Sequence, residues 1–149
     1  MNPDEIRYEI KFGLENLQKL YETITLFSSD KADERLKVSA LAYECVGYYN
    51  ALEHLIIRIL KYLQIERPEG AFSHRDILKK FELVLKERNI YHDVNLINHL
   101  ENLMAFRHVA TNIYGFLIDW HKLESVITDI MNDHNRFKSF FQDIVKAVI

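Results

Sequence analysis

Apolar residues recur along most of this chain at spacings of three and four, the period of helices with one buried face. Ile6, Ile10, Leu14, Leu17, Leu20, Tyr21, Ile24 and Phe27 form one such stripe, and the spacing predicts a helix from about Pro3 to Phe27. Pro3 suits a first helical turn, and Asp4 and Glu5 suit the positive end of its dipole. "SSDKAD" interrupts the stripe and supplies side chains that cap helix starts. A second pattern, from about Asp33 to Gln64, carries Leu36, Leu41, Val46, Tyr49, Leu52, Leu55, Ile56, Ile59 and Leu63. It lasts roughly 30 residues, or about 45 Å of helix. A helix that long should be the spine of a bundle. "ERPEG" ends it through Pro68 and Gly70.

Three further segments follow. Ser73 offers a cap to a helix reaching about Arg88, with Ile77, Phe81, Val84 and Leu85 inward. After the break at "NIYHD", Leu96, Ile97, Leu100, Leu103, Met104 and Phe106 predict a helix from about Val94 to Thr111. Asp119 is a good cap for the last one, which runs almost to Ile149. Its stripe is Leu123, Val126, Ile127, Ile130, Phe137, Phe140, Phe141, Ile144 and Val148. No linker, low-complexity tract or repeat divides the chain. The expectation is all-α: one domain over residues 1–149, an antiparallel bundle of four to five helices with short connections.

Composition agrees. Four glycines and two prolines in 149 residues suit long helices better than a turn-rich β fold. Cys45, the single cysteine, has no partner for an internal disulfide, and its apolar surroundings predict an inert buried thiol. No segment reaches membrane-spanning length and "MNPDEIRYEIK" does not read as a signal peptide. A cytoplasmic protein without a membrane partner is expected.

A net charge of −3 does not announce a nucleic-acid binder, but the charge is uneven. Residues 1–57 carry −4, residues 58–88 carry +3 and residues 89–149 carry −2. Arg75, Lys79, Lys80, Lys86 and Arg88 could attend phosphates or be no more than a solvated helix face.

Most chemical signatures are absent. No glutamate is followed three residues later by a histidine, so the di-iron pattern of helical bundles is missing. There is no His-Glu-x-x-His motif and no glycine-rich phosphate loop. His92 and His99, seven apart, are expected to be solvated surface residues rather than a metal pair. Neither metal nor cofactor is expected. Tyr43, Tyr48 and Tyr49 read as core or interface aromatics, and Trp120 as a packing anchor.

One stretch resists this treatment. "FRHVATNIYG", Phe106 to Gly115, gathers Arg107, His108, Asn112 and Tyr114 beside a helix-stopping glycine. An ordinary helix end explains it if Asn112 or Gly115 terminates the helix and Arg107 pairs with an acid such as Glu53 or Glu101. A site explains it differently. Arg107 and Asn112 are five steps apart, about 140° on an ideal helix, whereas Arg107 and Tyr114 nearly eclipse. Arg107 and Asn112 converge only if the helix distorts near Thr111 or if two subunits contribute.

"R-H-V-A-T-N-I-Y" resembles the Arg-x4-His-x-Tyr motif of HEPN domains, specifically the HepT toxins of HEPN–MNT toxin–antitoxin pairs. Arg107 matches the arginine, Tyr114 the tyrosine, and His108 suits the polar position after the arginine. The size, the bundle and the motif's place before the last helix agree as well. The resemblance implies a HEPN-like homodimer that cleaves cellular RNA, tRNA or mRNA, without a metal, using the 2′-hydroxyl as nucleophile. Arg107 would hold the phosphate and stabilise its charge. The family's histidine would move protons, a task worth about 10²–10⁴-fold in rate. Here Asn112 replaces it, and an amide does not titrate near neutral pH. The resemblance therefore implies binding like the family's but poor cleavage, so that this Asn112 form is expected to be inactive or nearly so. A replaced native histidine and a naturally degenerate binding member are both open as its origin. Tyr114 matches the tyrosine that the MNT nucleotidyltransferase antitoxin AMPylates. The rival expectation is a non-catalytic helical module that partners a nucleotidyltransferase.

Overall fold

In the computed structural model the described residues are 1–31, 33–70, 73–90, 92–112 and 118–149. They form five α-helices: α1 (Pro3–Ser29), α2 (Glu34–Tyr62), α3 (Ser73–Glu87), α4 (Val94–Asn112) and α5 (Trp120–Val148). The expected all-α antiparallel bundle is present.

The helix starts follow from local chemistry. The Asn2 side chain accepts from the Glu5 amide and Pro3 stands in the first turn of α1. Asp33 caps α2 through the Arg35 amide, and Asp119 caps α5 through the Lys122 amide at 2.8 Å. Ser73 is itself the first residue of α3. At the end of α2, Gln64 turns the chain with φ of 59°, and Asn89 does so after α3 with φ of 55°; the short amide of Asn89 suits this left-handed region.

α1, α2, α4 and α5 form a ring in which each helix runs antiparallel to its neighbours. Cross-contacts give the directions. Gly13 lies against Leu55 and Gly47 against Leu20 across α1 and α2. Tyr21 and Gln18 meet His134, and Gln18 also meets Lys138, across α1 and α5. His99 meets Asp133, and Asp93 meets Arg136, across α4 and α5. At Gly13 a Cβ would stand 2.5 Å from a Leu55 methyl, so glycine permits the α1–α2 approach. α3 packs mainly against α2 and α4, and its buried Phe81 also reaches Phe140 and Phe141 of α5. α2 borders all four other helices, the spine its length predicted.

The core is one cluster dominated by Leu, Ile and Phe, with the large rings of Tyr48, Tyr49, Phe81, Phe137 and Phe141 fully buried. Burial on this scale is the main stabilising term, at about 25 cal/mol per Å² of apolar surface. Cys45 is buried, as expected. Two expectations are corrected. Leu36, assigned to the buried stripe of α2, is 68 % exposed in its first turn. His99, expected on the surface, is buried and donates Nδ1–H to Asp133 at 2.9 Å. His92 is half-buried and donates its own Nδ1–H to the Ile90 carbonyl.

The core also holds a histidine that periodicity did not single out. His134 is 1 % exposed. Its Nδ1 accepts from the Tyr48 hydroxyl at 2.9 Å and its Nε2–H donates to the Gln18 oxygen at 2.8 Å. Lys138 donates to the same Gln18 oxygen, which identifies that atom as the acceptor. The imidazole stacks on Tyr21 with centroids 4.0 Å apart. Burial, and then the charge of Lys138, lower its pKa to about 4, so the ring is neutral near pH 7.

Candidate functional site at the α2–α3–α4 junction

Arg107 leaves the last turns of α4 towards α2. It is half-buried, and its Nε–H donates to the side-chain oxygen of Asn50 at 2.9 Å. Among the described residues it makes no ion pair, so the expected pairing with Glu53 or Glu101 is not what holds it. An amide orients the guanidinium without neutralising it. Its positive charge is near enough to Tyr49, one residue before Asn50, to favour that phenol's ionisation. Burial and Glu53 outweigh that influence and raise the Tyr49 pKa well above its usual value, so Tyr49 remains a donor.

The same turn of α2 carries a second polar centre. Glu53 is 4 % exposed and points from an otherwise apolar face. One of its carboxylate oxygens accepts from the Tyr49 hydroxyl at 2.9 Å and from His74 at 2.7 Å. His74 stands in the first turn of α3 with its side chain 35 % exposed. A buried carboxylate is tolerable only with such partners.

His108, Thr111 and Asn112 lie on the outer face of α4. The helix stays regular to Asn112. The Thr111 hydroxyl donates to the Arg107 carbonyl at 2.8 Å, and Asn112 Nδ2 donates to the His108 carbonyl at 2.9 Å. Asn112 also meets the His108 ring nitrogen at 3.2 Å. The distortion near Thr111 that would bring Arg107 and Asn112 together within one chain is therefore not present. Arg107 faces Asn50, while Asn112 folds back on His108. Tyr114, the remaining residue singled out from the sequence, lies outside the described residues.

Arg75, Lys79 and Lys80, in the first half of α3, are exposed. A shallow recess of about 280 Å³ between α3 and α4 is lined by Arg75, Leu78, Lys79, Glu101 and Met104, one turn of α4 before Arg107. A larger groove, about 1060 Å³, runs between α1 and α5 with Arg7, Lys11, Lys19, Lys138 and Lys146 along it. In the ring of helices that is the opposite edge from Arg107. No group of three or more metal-ligating side chains occurs among the described residues. Among the described residues no helix is long and apolar enough to cross a membrane.

Asn50 and His74 were not singled out from sequence, Tyr49 was read only as a core or interface aromatic, and Glu53 was named only as a pairing acid for Arg107, not as the partner of Tyr49 and His74. More could have been read from Glu53: it occupies the stripe of Tyr49, Leu52 and Ile56 at helical spacing, and a carboxylate there needs a partner.

A five-helix antiparallel bundle, with an arginine near the end of its fourth helix that makes no ion pair among the described residues, is consistent with a HEPN-like fold. The HepT-like protein family matches residues 40–148, well over half of the chain. The chain belongs to the HepT-like family, and the match runs from within α2 to the end of α5 while leaving α1 outside it. Comparison with curated proteins and with solved structures gave no match.

Proposed function

We propose that this chain is the toxin half of a HEPN–MNT toxin–antitoxin pair, a cytoplasmic endoribonuclease that works as a homodimer of one-domain subunits. The observation that carries the reading is Arg107. Its guanidinium is oriented by a neutral amide and keeps its charge for a ligand. A phosphodiester, with two anionic oxygens, is the natural complement of that fork. Exposed basic residues on α3 extend the surface along which an RNA backbone would run.

The regularity of α4 through Asn112 supports a reading in which the motif positions meet across a two-fold axis rather than within one subunit. Each cleft then receives Arg107 of one subunit and the His108–Asn112 face of the other. With an amide at 112 the motif lacks its titrating group, and this pair cleaves poorly. Neutralisation follows from AMPylation of Tyr114 by the nucleotidyltransferase antitoxin. The added phosphate would occupy the Arg107 site and repel RNA.

The test is Asn112→His. The variant should cleave single-stranded RNA about 10²–10⁴-fold faster than the starting chain, the range of acid–base catalysis. A folded, dimeric Asn112→His protein that cleaves no faster refutes the assignment of position 112. The second reading, a non-catalytic binding module, draws on the Asn112 amide being tied to His108. A monomer that ignores RNA at low salt would favour it. Incubation with the antitoxin and ATP, followed by mass spectrometry, should place one AMP on Tyr114. Modification at another tyrosine removes that part of the proposal.

A further inference from the structure

We propose that His74, oriented by Glu53, is the proton-transferring residue of the Arg107 phosphate site in this Asn112 chain. The inference rests on the ribonuclease reading above and names a catalytic group for it.

Placement comes first. Arg107 is anchored on Asn50 and His74 on Glu53. These two anchors are three residues apart on α2, about 4.5 Å along the axis and about 60° around it. A guanidinium from α4 and an imidazole from α3 are therefore held over one turn of one helix, on the same side of it. Among the described residues His108 has no comparable carboxylate partner, and it lies on the outer face of α4.

Chemistry comes second. The Glu53 oxygen is an acceptor, so the His74 nitrogen facing it, Nδ1, carries a hydrogen. That leaves the lone pair of the neutral ring on Nε2. Among the described residues Nε2 has no partner, and the side chain is partly open to solvent. The Tyr49 hydroxyl donates to the same carboxylate oxygen, which fixes the acid from a second direction. A buried carboxylate behind an imidazole sets its tautomer and stabilises the imidazolium as it forms.

The step balances with RNA alone. The 2′-hydroxyl gives its proton to His74 Nε2 as its oxygen bonds to phosphorus. The bond from phosphorus to the 5′ oxygen breaks, and the imidazolium returns the proton to that leaving oxygen. The products are a 2′,3′-cyclic phosphate and a 5′-hydroxyl. Arg107 holds the phosphate, and Glu53 is a positioning residue.

The experiment places the full-length protein in excess over an end-labelled single-stranded RNA and follows one turnover in chelator. The starting chain should cleave slowly and leave cyclic phosphate ends. His74→Gly should lower that rate about 10²-fold, and added imidazole should restore it. Glu53→Gln should lower the rate at saturating protein while RNA affinity stays unchanged. Arg107→Ala should lose both. If His74→Gly cleaves as fast as the starting chain, His74 only ties α3 to α2 and the inference falls while the ribonuclease reading stands. If the starting chain does not cleave but Asn112→His does, the inference again falls alone. If neither cleaves, both fall.

Discussion

Arg107 and Asn50 sit 57 positions apart and meet through one 2.9 Å hydrogen bond, in which a neutral amide holds a cation. Replacing that amide by a carboxylate keeps the shape and changes the electrostatics. Asn50→Asp should fold normally yet bind RNA about tenfold more weakly, about 1.4 kcal/mol, because the guanidinium becomes paired. Asn50→Ala should lose less. Fluorescence anisotropy at one fixed salt concentration ranks the three proteins, and an Asn50→Asp protein that binds as well as the starting chain contradicts the role given to Arg107.

Arg107→Ala should separate binding from folding. Losing one charged hydrogen bond at a half-buried position costs about 1–2 kcal/mol of stability. The dependence of RNA affinity on salt should become shallower, by about 0.7 in the log–log slope for each single-strand phosphate that the variant leaves unneutralised. An unchanged slope would mean that Arg107 does not reach a phosphate.

His134 predicts acid sensitivity. Its pKa drops from 6.5 to about 4 on folding, through burial and then the Lys138 charge. Above pH 6.5 neither state holds the proton and the buried ring contributes fully. As pH falls towards 4 the unfolded chain takes up a proton that the folded chain refuses, so stability declines across this window. Protonation of Nδ1 also removes the acceptor for Tyr48. Thermal midpoints measured from pH 7 to pH 4.5 should fall less steeply in His134→Gln, although that protein starts lower. Parallel curves would show that another group governs the slope.

Cys45 should be silent towards thiol reagents. Burial, reinforced by the negative charge of Glu44, pushes its pKa up to about 12, so almost no thiolate exists at pH 8. Ellman's reagent should react only when denaturant unfolds the protein. Rapid labelling under native conditions would mean that α2 opens locally.

The fold was largely legible because its determinants are local. The cap at Asp119 and the proline turn at Pro3 need only neighbouring residues, and they appear where the sequence puts them. Leu36 was misplaced because periodicity gives a direction but not whether another helix extends far enough to cover it. His99 and His134 were missed for the opposite reason. Each interrupts an apolar stripe, and the group that makes its burial tolerable lies on another helix: Asp133 for one, Tyr48 and Gln18 for the other. The site divides similarly. Arg107 and Asn112 stood out through a short local motif. Glu53 is conspicuous on the apolar stripe of α2, but its partner His74, and Asn50 with Arg107, acquire meaning only when α2, α3 and α4 are brought together.

The shared turn of α2 makes the junction sensitive to frame rather than to composition. A single residue inserted between Asn50 and Glu53 would swing one attachment point about 100° away from the other. Every side chain would survive, but the arginine and the imidazole would no longer open onto the same patch of surface. A conservative replacement in those four positions should be forgiven more readily than any change in their count.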